Sequence, residues 1–433
     1  MDHSIDRLKQ KISLKIGFNI KTASDIKNLE LILKAESGGM ISYNTLRRIY
    51  GFLPGTTPQN KSLNTLSRFI GYNSFNDFMK YVAKDIVWSN WMSINSIENK
   101  SKIDKTDILF LMTLLKDENY VVYLSSVLKV FVRKQQTASL GLLLGSVKLF
   151  PDAIKEESFT LKLATSIGLV LRTLSEKEYK KLDFLLDDNY VFKSHILYFY
   201  VDYHCLNGYY GYYLQEILKK VNTTEEKLFV DLMLNYRLFL NNDSSYANLW
   251  VPDLEPNLFS ILRGRYWGYQ FLYFSNNPDP IHTAEFIWKK LLLEANTCRK
   301  NYFFMEIIPI LIFTKNFDKI SYLFQEYYEE LFDFTQWNHD RQVSIYLVAN
   351  SIYEVKKQKY TQAYKTLQLM RFGINDSYEY YFKLFYLLVE YRLAVVRVGT
   401  SKTPSQVRKE YVDLVSKTGF KRFSLSFLEN YFD

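Results

Sequence analysis

The residues best placed to do chemistry form one short run, Ser42-Tyr43-Asn44-Thr45-Leu46-Arg47-Arg48. Ser42 can open a helix by offering its hydroxyl to the exposed N–H groups of the first turn. Helical spacing then buries Leu46 and Ile49 and leaves Tyr43, Asn44, Arg47 and Arg48 on the outer face. An arginine can donate two parallel hydrogen bonds to guanine, and an asparagine can pair with adenine. Each good pair discriminates against the wrong base by about 1–3 kcal/mol. Lys34, Lys61 and Arg68 lie in the neighbouring segments, where cations could hold phosphates and so position the chain without reading sequence. The plainer alternative is a solvated helix face that happens to carry two arginines.

Other chemistries find no constellation. The chain has no GxxxxGK(S/T) phosphate loop, HExxH helix, CxxC pair or GxSxG elbow. Its two cysteines, Cys205 and Cys298, exclude a disulfide framework and a cysteine-rich zinc module. The five histidines are His3, His195, His204, His282 and His339. His195 and His204 could share a helix, but they would fall on opposite faces, about two and a half turns apart. The acidic pairs Asp187-Asp188, Glu225-Glu226 and Glu329-Glu330 suit helix starts, where the macrodipole favours them, or solvated faces. The chain reads as a non-enzyme with no cofactor and no metal.

The elements that must carry these residues are helices. The 433 residues are 48 % hydrophobic and 23 % charged, values of a folded chain too long for one ordinary core. Only 16 Gly and 9 Pro are present, which favours long helices over turn-rich strands. The 35 Tyr and 32 Phe point to an aromatic core with irregular helix packing. The most apolar runs, such as 139–150, are shorter than the roughly 18–20 residues a bilayer span needs. No apolar run follows the first residues, and we expect a cytoplasmic chain.

Residues 1–85 read as five short helices. Ile5, Leu8, Ile12 and Ile16 line the first, and Ile26, Leu29, Ile32 and Leu33 the second, opened by Thr22 or Ser24 and stopped by Gly38-Gly39. The helix opened by Ser42 follows. After a loop with Gly55 and Pro58, a fourth helix carries Leu63, Leu66 and Ile70 and ends at Gly71. Ser74 caps a fifth, with Phe75, Phe78 and Met79 inward. This segment also holds 13 Lys/Arg against 7 Asp/Glu, an excess of six positive charges, whereas the remaining 348 residues hold 42 against 39. A basic module joined to a nearly neutral body suits a small nucleic-acid-binding head, although a fluctuation of surface charge would give the same count.

The segment from Ala23 to Val82 resembles the lambda-repressor-like (XRE) helix-turn-helix family. That family's recognition helix tends to read Ser-x-x-Thr-(Leu/Ile)-Ser-Arg, matched here by Ser42, Thr45, Leu46 and Arg48. Pro58 then leads to Leu63, Leu66, Ser67, Ile70 and Gly71 at the family's spacing. The resemblance implies that Tyr43, Asn44, Arg47 and Arg48 face a DNA groove. It departs in four places, the first being a second helix and turn a little longer than the family norm. The loop before Lys61 is about two residues longer, Tyr50 stands where an acidic residue is common, and the family's phosphate-facing Gln at the start of the second helix has no counterpart.

From about Lys100 onward apolar-periodic helices follow one another, as in 107–116, 181–220 and 343–370. Trp88 and Trp91 are expected to dock a junction, placed at about 84–105, onto one of the domains, with a body over 86–433. Tyr360, Ala363 and Leu367, with Ser351 in the helix before them, resemble the tetratricopeptide (TPR) pattern. Phe317, Ile320 and Phe324, then Ile281, Ala284 and Trp288, and Tyr210, Tyr213 and Ile217 match it more loosely. The anchors 213, 284, 320 and 363 lie 71, 36 and 43 residues apart, near one or two units of a repeat of about 34 residues. Stacked helical hairpins leave a groove that binds peptides or proteins, and exposed Tyr would suit that groove, or else Tyr would fill the seams between helices. One further helix is expected at 404–417.

The expectation is thus an all-α chain with a five-helix helix-turn-helix head followed by a TPR-like array of helical hairpins. Its function would be that of a bacterial DNA-binding transcription regulator. Double-stranded DNA would be the partner of the head, and the body would dimerise or bind a protein or peptide, with no membrane role. The alternative is an interaction scaffold whose head keeps the fold but no longer binds DNA.

Overall fold

The computed structural model of the chain describes residues 2–37, 41–54, 58–150, 157–187, 192–199, 201–221, 223–248, 259–277, 283–333, 344–370 and 377–433. Gly38, Gly39, Gly55, Asp188, Ile281, His282 and His339 lie outside them. Among the described residues all regular structure is helical. The chain divides into two compact units, Met1–Lys100 and Ser101–Asp433.

The first unit holds α1 (Asp2–Ile16), α2 (Ala23–Ser37), α3 (Tyr43–Ile49), α4 (Asn60–Phe69) and α5 (Phe75–Asn99). Local chemistry sets their starts. The Thr22 hydroxyl accepts the Asp25 amide at 3.2 Å, Ser42 that of Thr45 at 3.2 Å and Ser74 that of Asp77 at 3.1 Å, as capping residues do. Gly71 turns the chain between α4 and α5 at φ +95°, a conformation that suits glycine. One apolar stripe from each helix closes the core, including Leu8, Ile12, Ile26, Leu29, Leu46, Leu63, Leu66 and Phe78. Ser67 is buried among them, a small side chain where α4 packs against its neighbours.

Helix α5 differs from the sequence expectation. Its 25 residues carry on to Asn99, through the stretch read as a junction. Beyond Val82 most of its side chains are exposed. Its apolar residues there are split between an exposed face, with Trp88, Trp91 and Met92, and the buried Ile94 and Ile97, so no single apolar stripe marks a helix and the sequence looked like a linker. Trp88, expected to be docked, is 67 % exposed.

The second unit contains tightly linked helix pairs. Tyr120–Arg133 and Thr137–Gly145, Lys300–Phe313 and Phe317–Glu326, and Ser344–Lys356 and Tyr360–Gln368 each pack together across a three-residue link. Every link turns the same way. Gln135, Lys315 and Gln358 sit in the left-handed region at φ 54°, 53° and 58°. The following amide reaches back to a carbonyl five residues earlier, Gln136 to Phe131 at 3.1 Å, Asn316 to Leu311 at 2.9 Å and Lys359 to Glu354 at 2.9 Å. Asn242 (φ 58°) ends helix Thr224–Leu240 with the same geometry. A recurring turn of this kind closes the last carbonyls of a helix and reverses the chain.

Of the anchors read from the sequence, Ala284, Phe317, Phe324 and Tyr360 are half-buried, whereas Tyr210, Tyr213, Ile217, Trp288, Ile320, Ser351, Ala363 and Leu367 are buried. So are Tyr120, Tyr123, Tyr346, Tyr381, Tyr411 and Tyr431, each less than 2 % exposed, which places these tyrosines in seams rather than on a surface. Helix Ser260–Asn276 packs tightly on Lys300–Phe313. A Cβ on Gly264 would lie 2.2 Å from the Phe303 carbonyl oxygen, and one on Gly268 3.3 Å from that of Glu306. The final helices, Pro404–Thr418 behind a Thr403 capping box and Leu425–Glu429, complete the chain.

The stretch 181–220 is not the run of long helices its periodicity suggested. It forms short turns at Asp183–Leu186, Lys193–Leu197 and Tyr203–Cys205 before helix Tyr209–Leu218. Backbone groups that leave a helix in an interior need other partners. Here Tyr210 donates to the Leu197 carbonyl, and charged side chains add both backbone bonds and ion pairs. Arg265 donates to the carbonyls of Tyr198 and Phe199, and its guanidinium pairs with Glu306 at 3.2 Å. Arg172 grips Asp202 through two bonds of 3.0 and 2.9 Å, and Lys193 meets Glu226 at 2.6 Å. His195 and His204 consequently lie on separate short turns, not on one helix.

Candidate nucleic-acid interface

Helix α3 is held from both ends. Its Ser42 cap sets the start, and the Gly51 amide closes on the Arg48 carbonyl at 3.2 Å. Leu46 and Ile49 fix its inner face at 0 % and 5 % exposure, and α2 packs beside it. The outer residues separate into two pairs. Asn44 and Arg48, one turn apart, are exposed, and neither forms an ion pair or a side-chain hydrogen bond among the described residues. Tyr43 and Arg47 are half-buried. The Tyr43 hydroxyl donates to the Ala23 carbonyl at 3.3 Å, and the Arg47 guanidinium lies over the Tyr43 ring at 5.5 Å. Both had been expected to stand outward. The start of α2 is close enough for Tyr43 to reach it, and the ring then draws Arg47 in by a cation–π contact.

The expected phosphate contacts also differ from one another. Lys34 and Lys61 are exposed and form no ion pair among the described residues. Arg68 is exposed too, but its Nε donates to the Asn73 carbonyl at 3.1 Å and so ties the α4–α5 turn. The lysines of α1 rest on rings of the same unit: Lys9 over Tyr50 at 5.9 Å, Lys11 over Tyr81 at 5.1 Å and Lys15 over Phe69 at 4.0 Å. Tyr50 packs against the core, and burial pushes its hydroxyl well above the ordinary value. At this position the chain uses a ring to fill space rather than an acid.

One feature escaped the sequence reading. Asp25 stands in the first turn of α2 and accepts the Lys21 amide at 2.9 Å and the Thr22 amide at 2.7 Å. These bonds, with the Thr22 hydroxyl, hold its carboxyl below the usual carboxylate range. A fixed negative charge thus sits where a helix start would otherwise attract phosphate. The Thr-x-x-Asp spacing was the available signal.

A second candidate lies within the body. A pocket with about 410 Å³ of empty space, counting its mouth, is lined by Met233, Tyr236, Tyr269, Met305 and Tyr381 around Arg265 and Glu306. Tyr203 donates to Glu306, and the Tyr236 and Tyr381 hydroxyls bond each other. These polar groups face one another and join helices, which leaves the lining mostly apolar. Among the described residues no group of three or more His, Cys, Asp or Glu could hold a metal ion, and no helix is long and apolar enough to cross a membrane.

Set against known proteins, the chain matches no family model, no curated protein and no solved structure.

Proposed function

We propose that the chain is a DNA-binding transcription regulator whose head reads duplex DNA through α3 and whose helical-hairpin body binds a protein or peptide partner. The observation that carries this reading is the pairing of Asn44 and Arg48. They are exposed side by side on a short capped helix, in a unit with 14 Lys/Arg against 8 Asp/Glu. That pair offers an adenine reader and a guanine reader one turn apart. Lys34 and Lys61 supply phosphate contacts, and the helix-turn-helix resemblance supports the same orientation of α3.

Asp25 favours the second reading, a scaffold whose head no longer binds DNA. Its charge opposes a phosphate at the start of α2.

Selection of the full chain against a random duplex library, followed by titration of the enriched sequence, separates the two. The regulator reading expects a preferred sequence and a loss of about 10- to 100-fold when Asn44 and Arg48 become alanine. Lys61→Ala should weaken all sequences alike and lower the salt slope by about one. Asp25→Asn should strengthen binding without changing the preferred sequence. If no sequence is enriched, or if the Asn44/Arg48 double variant binds like the parent, α3 does not read DNA and the scaffold reading stands.

A further inference from the structure

We infer that α5 is a dimerisation helix that pairs antiparallel with α5 of a second copy. Tyr81, Lys84, Asp85, Trp88, Trp91 and Met92 follow at intervals of three and four, which places them on one face. That face is turned away from the core-facing Phe78 and Val82. Tyr81 is 40 % exposed, Trp88 67 %, Trp91 40 % and Met92 53 %. Single exposed apolar residues are ordinary, but three aromatic rings and a methionine on one helix face, around the charged pair Lys84 and Asp85, mark an interaction surface.

The order of the side chains selects the occupant. Two copies of α5 crossing antiparallel, with the two-fold axis between Lys84 and Asp85, bring Tyr81 against Trp88 of the second copy and Trp88 against its Tyr81. The same axis places Lys84 beside Asp85 of the second copy, and Asp85 beside its Lys84. Over Tyr81 to Trp88 the stripe is therefore complementary to itself in shape and in charge, as an isologous interface must be; Trp91 and Met92 flank this span, and Asp85 also meets Arg7 of its own unit at 3.8 Å. A parallel pairing would set Lys84 against Lys84 and Asp85 against Asp85. Tyr81 is already steadied for such a contact, with Tyr72 at 5.3 Å and Lys11 at 5.1 Å.

The area sets the strength. Aromatic side chains bury about 150–250 Å² each, so at these exposures the stripe can give up roughly 400–500 Å² per copy. That makes about 900 Å² in the pair, below the roughly 1,200 Å² of standard specific interfaces and in the range of weak, transient pairs. The inference does not depend on whether α3 reads DNA. If it does, a two-fold pair of heads calls for an inverted-repeat site.

Sedimentation velocity of the full chain over a wide concentration range is the test. The parent should pass from monomer to dimer as concentration rises. Trp88→Glu should raise the dissociation constant by about 100-fold or more, as loss of a central aromatic anchor does. Lys84→Glu should weaken the dimer by placing two carboxylates together at both symmetry-related contacts. Lys84→Glu with Asp85→Lys should recover it. These positions are exposed, so circular dichroism should match the parent in every variant. A chain that stays monomeric throughout overturns the inference. So does Trp88→Glu dimerising like the parent, and failure of the double swap to recover association rules out the antiparallel register.

Discussion

The two units treat charge in opposite ways. In the head the described core is apolar apart from Ser67, and the charged groups lie outside on capped helix ends, over aromatic rings or on the exposed face of α3. In the body, ion pairs are built into the interior. Arg265 and Glu306 are both 3 % exposed on their side chains, and Lys193–Glu226 and Arg172–Asp202 are nearly as deep. The difference teaches where each unit can meet a partner by charge. The head presents uncompensated cations to solvent, whereas the deepest charges of the body are committed to the short turns Lys193–Leu197 and Tyr203–Cys205 and the residues beside them, Tyr198, Phe199 and Asp202.

Glu306→Ala should have the largest effect. Removing one partner leaves a buried guanidinium uncompensated, and the body should lose about 3–5 kcal/mol. Hydrogen exchange would show lowered protection in the body and unchanged protection in α1–α4. Equal losses in both would mean that the units do not fold independently. Gly264→Ala comes next. A Cβ there meets the Phe303 carbonyl at 2.2 Å, so the helices must part, at a cost of about 1–3 kcal/mol or more, seen as a lower denaturant midpoint. Gly268→Ala, with 3.3 Å available, should cost less.

Smaller effects sharpen the picture. Gln358→Val places a β-branched side chain in a left-handed turn and should cost about 1–2 kcal/mol, whereas Gln358→Gly should be tolerated. His204, stacked on Tyr380 at 4.5 Å, should make the body acid-sensitive. Burial is the main reason its protonation lies below the ordinary value; Asp202 pulls it back up, and Arg172 and Lys417 push it down. A histidine depressed in the fold stabilises it above the unfolded value of about 6.5, and that stability is lost as pH falls through the folded value. Thermal melts of the parent should therefore fall below about pH 6.5, with a shallower fall in His204→Phe. Least of all, Asn44→Ala and Arg48→Ala should each leave stability within about 0.5 kcal/mol of the parent, whatever they do to duplex binding.

The legible part of the chain was the locally determined part. Caps at Thr22, Ser42 and Ser74 act on amides within a few residues of themselves, and the apolar stripes of α1 to α4 pack against one another over short chain distances. A sequence carries that information directly. Helical class, the starts of the head's helices and the buried anchors at Tyr213, Ile320, Ala363 and Leu367 were therefore readable. The far half of α5 was not, because its apolar residues are split between the exposed Trp88, Trp91 and Met92 and the buried Ile94 and Ile97, so no single stripe marks it. The repeated turn was also hidden: Gln135, Asn242, Lys315 and Gln358 take the left-handed conformation without a glycine to announce it.

By itself, then, the sequence determined that the chain is helical, that its first unit is basic and that Asn44, Arg47 and Arg48 share a short capped helix. Only the tertiary structure decided which of them face solvent. Tyr43 can bond to Ala23 because α2 and α3 pack together, and Arg47 follows the ring, so Asn44 and Arg48 are the pair left free. Likewise, periodicity offered helices throughout 181–220, and the buried Arg265 and Glu306, brought from helices far along the chain, made shorter turns the better solution. Contacts between residues distant in sequence decide such cases, since burial and charge pairing then outweigh local preference.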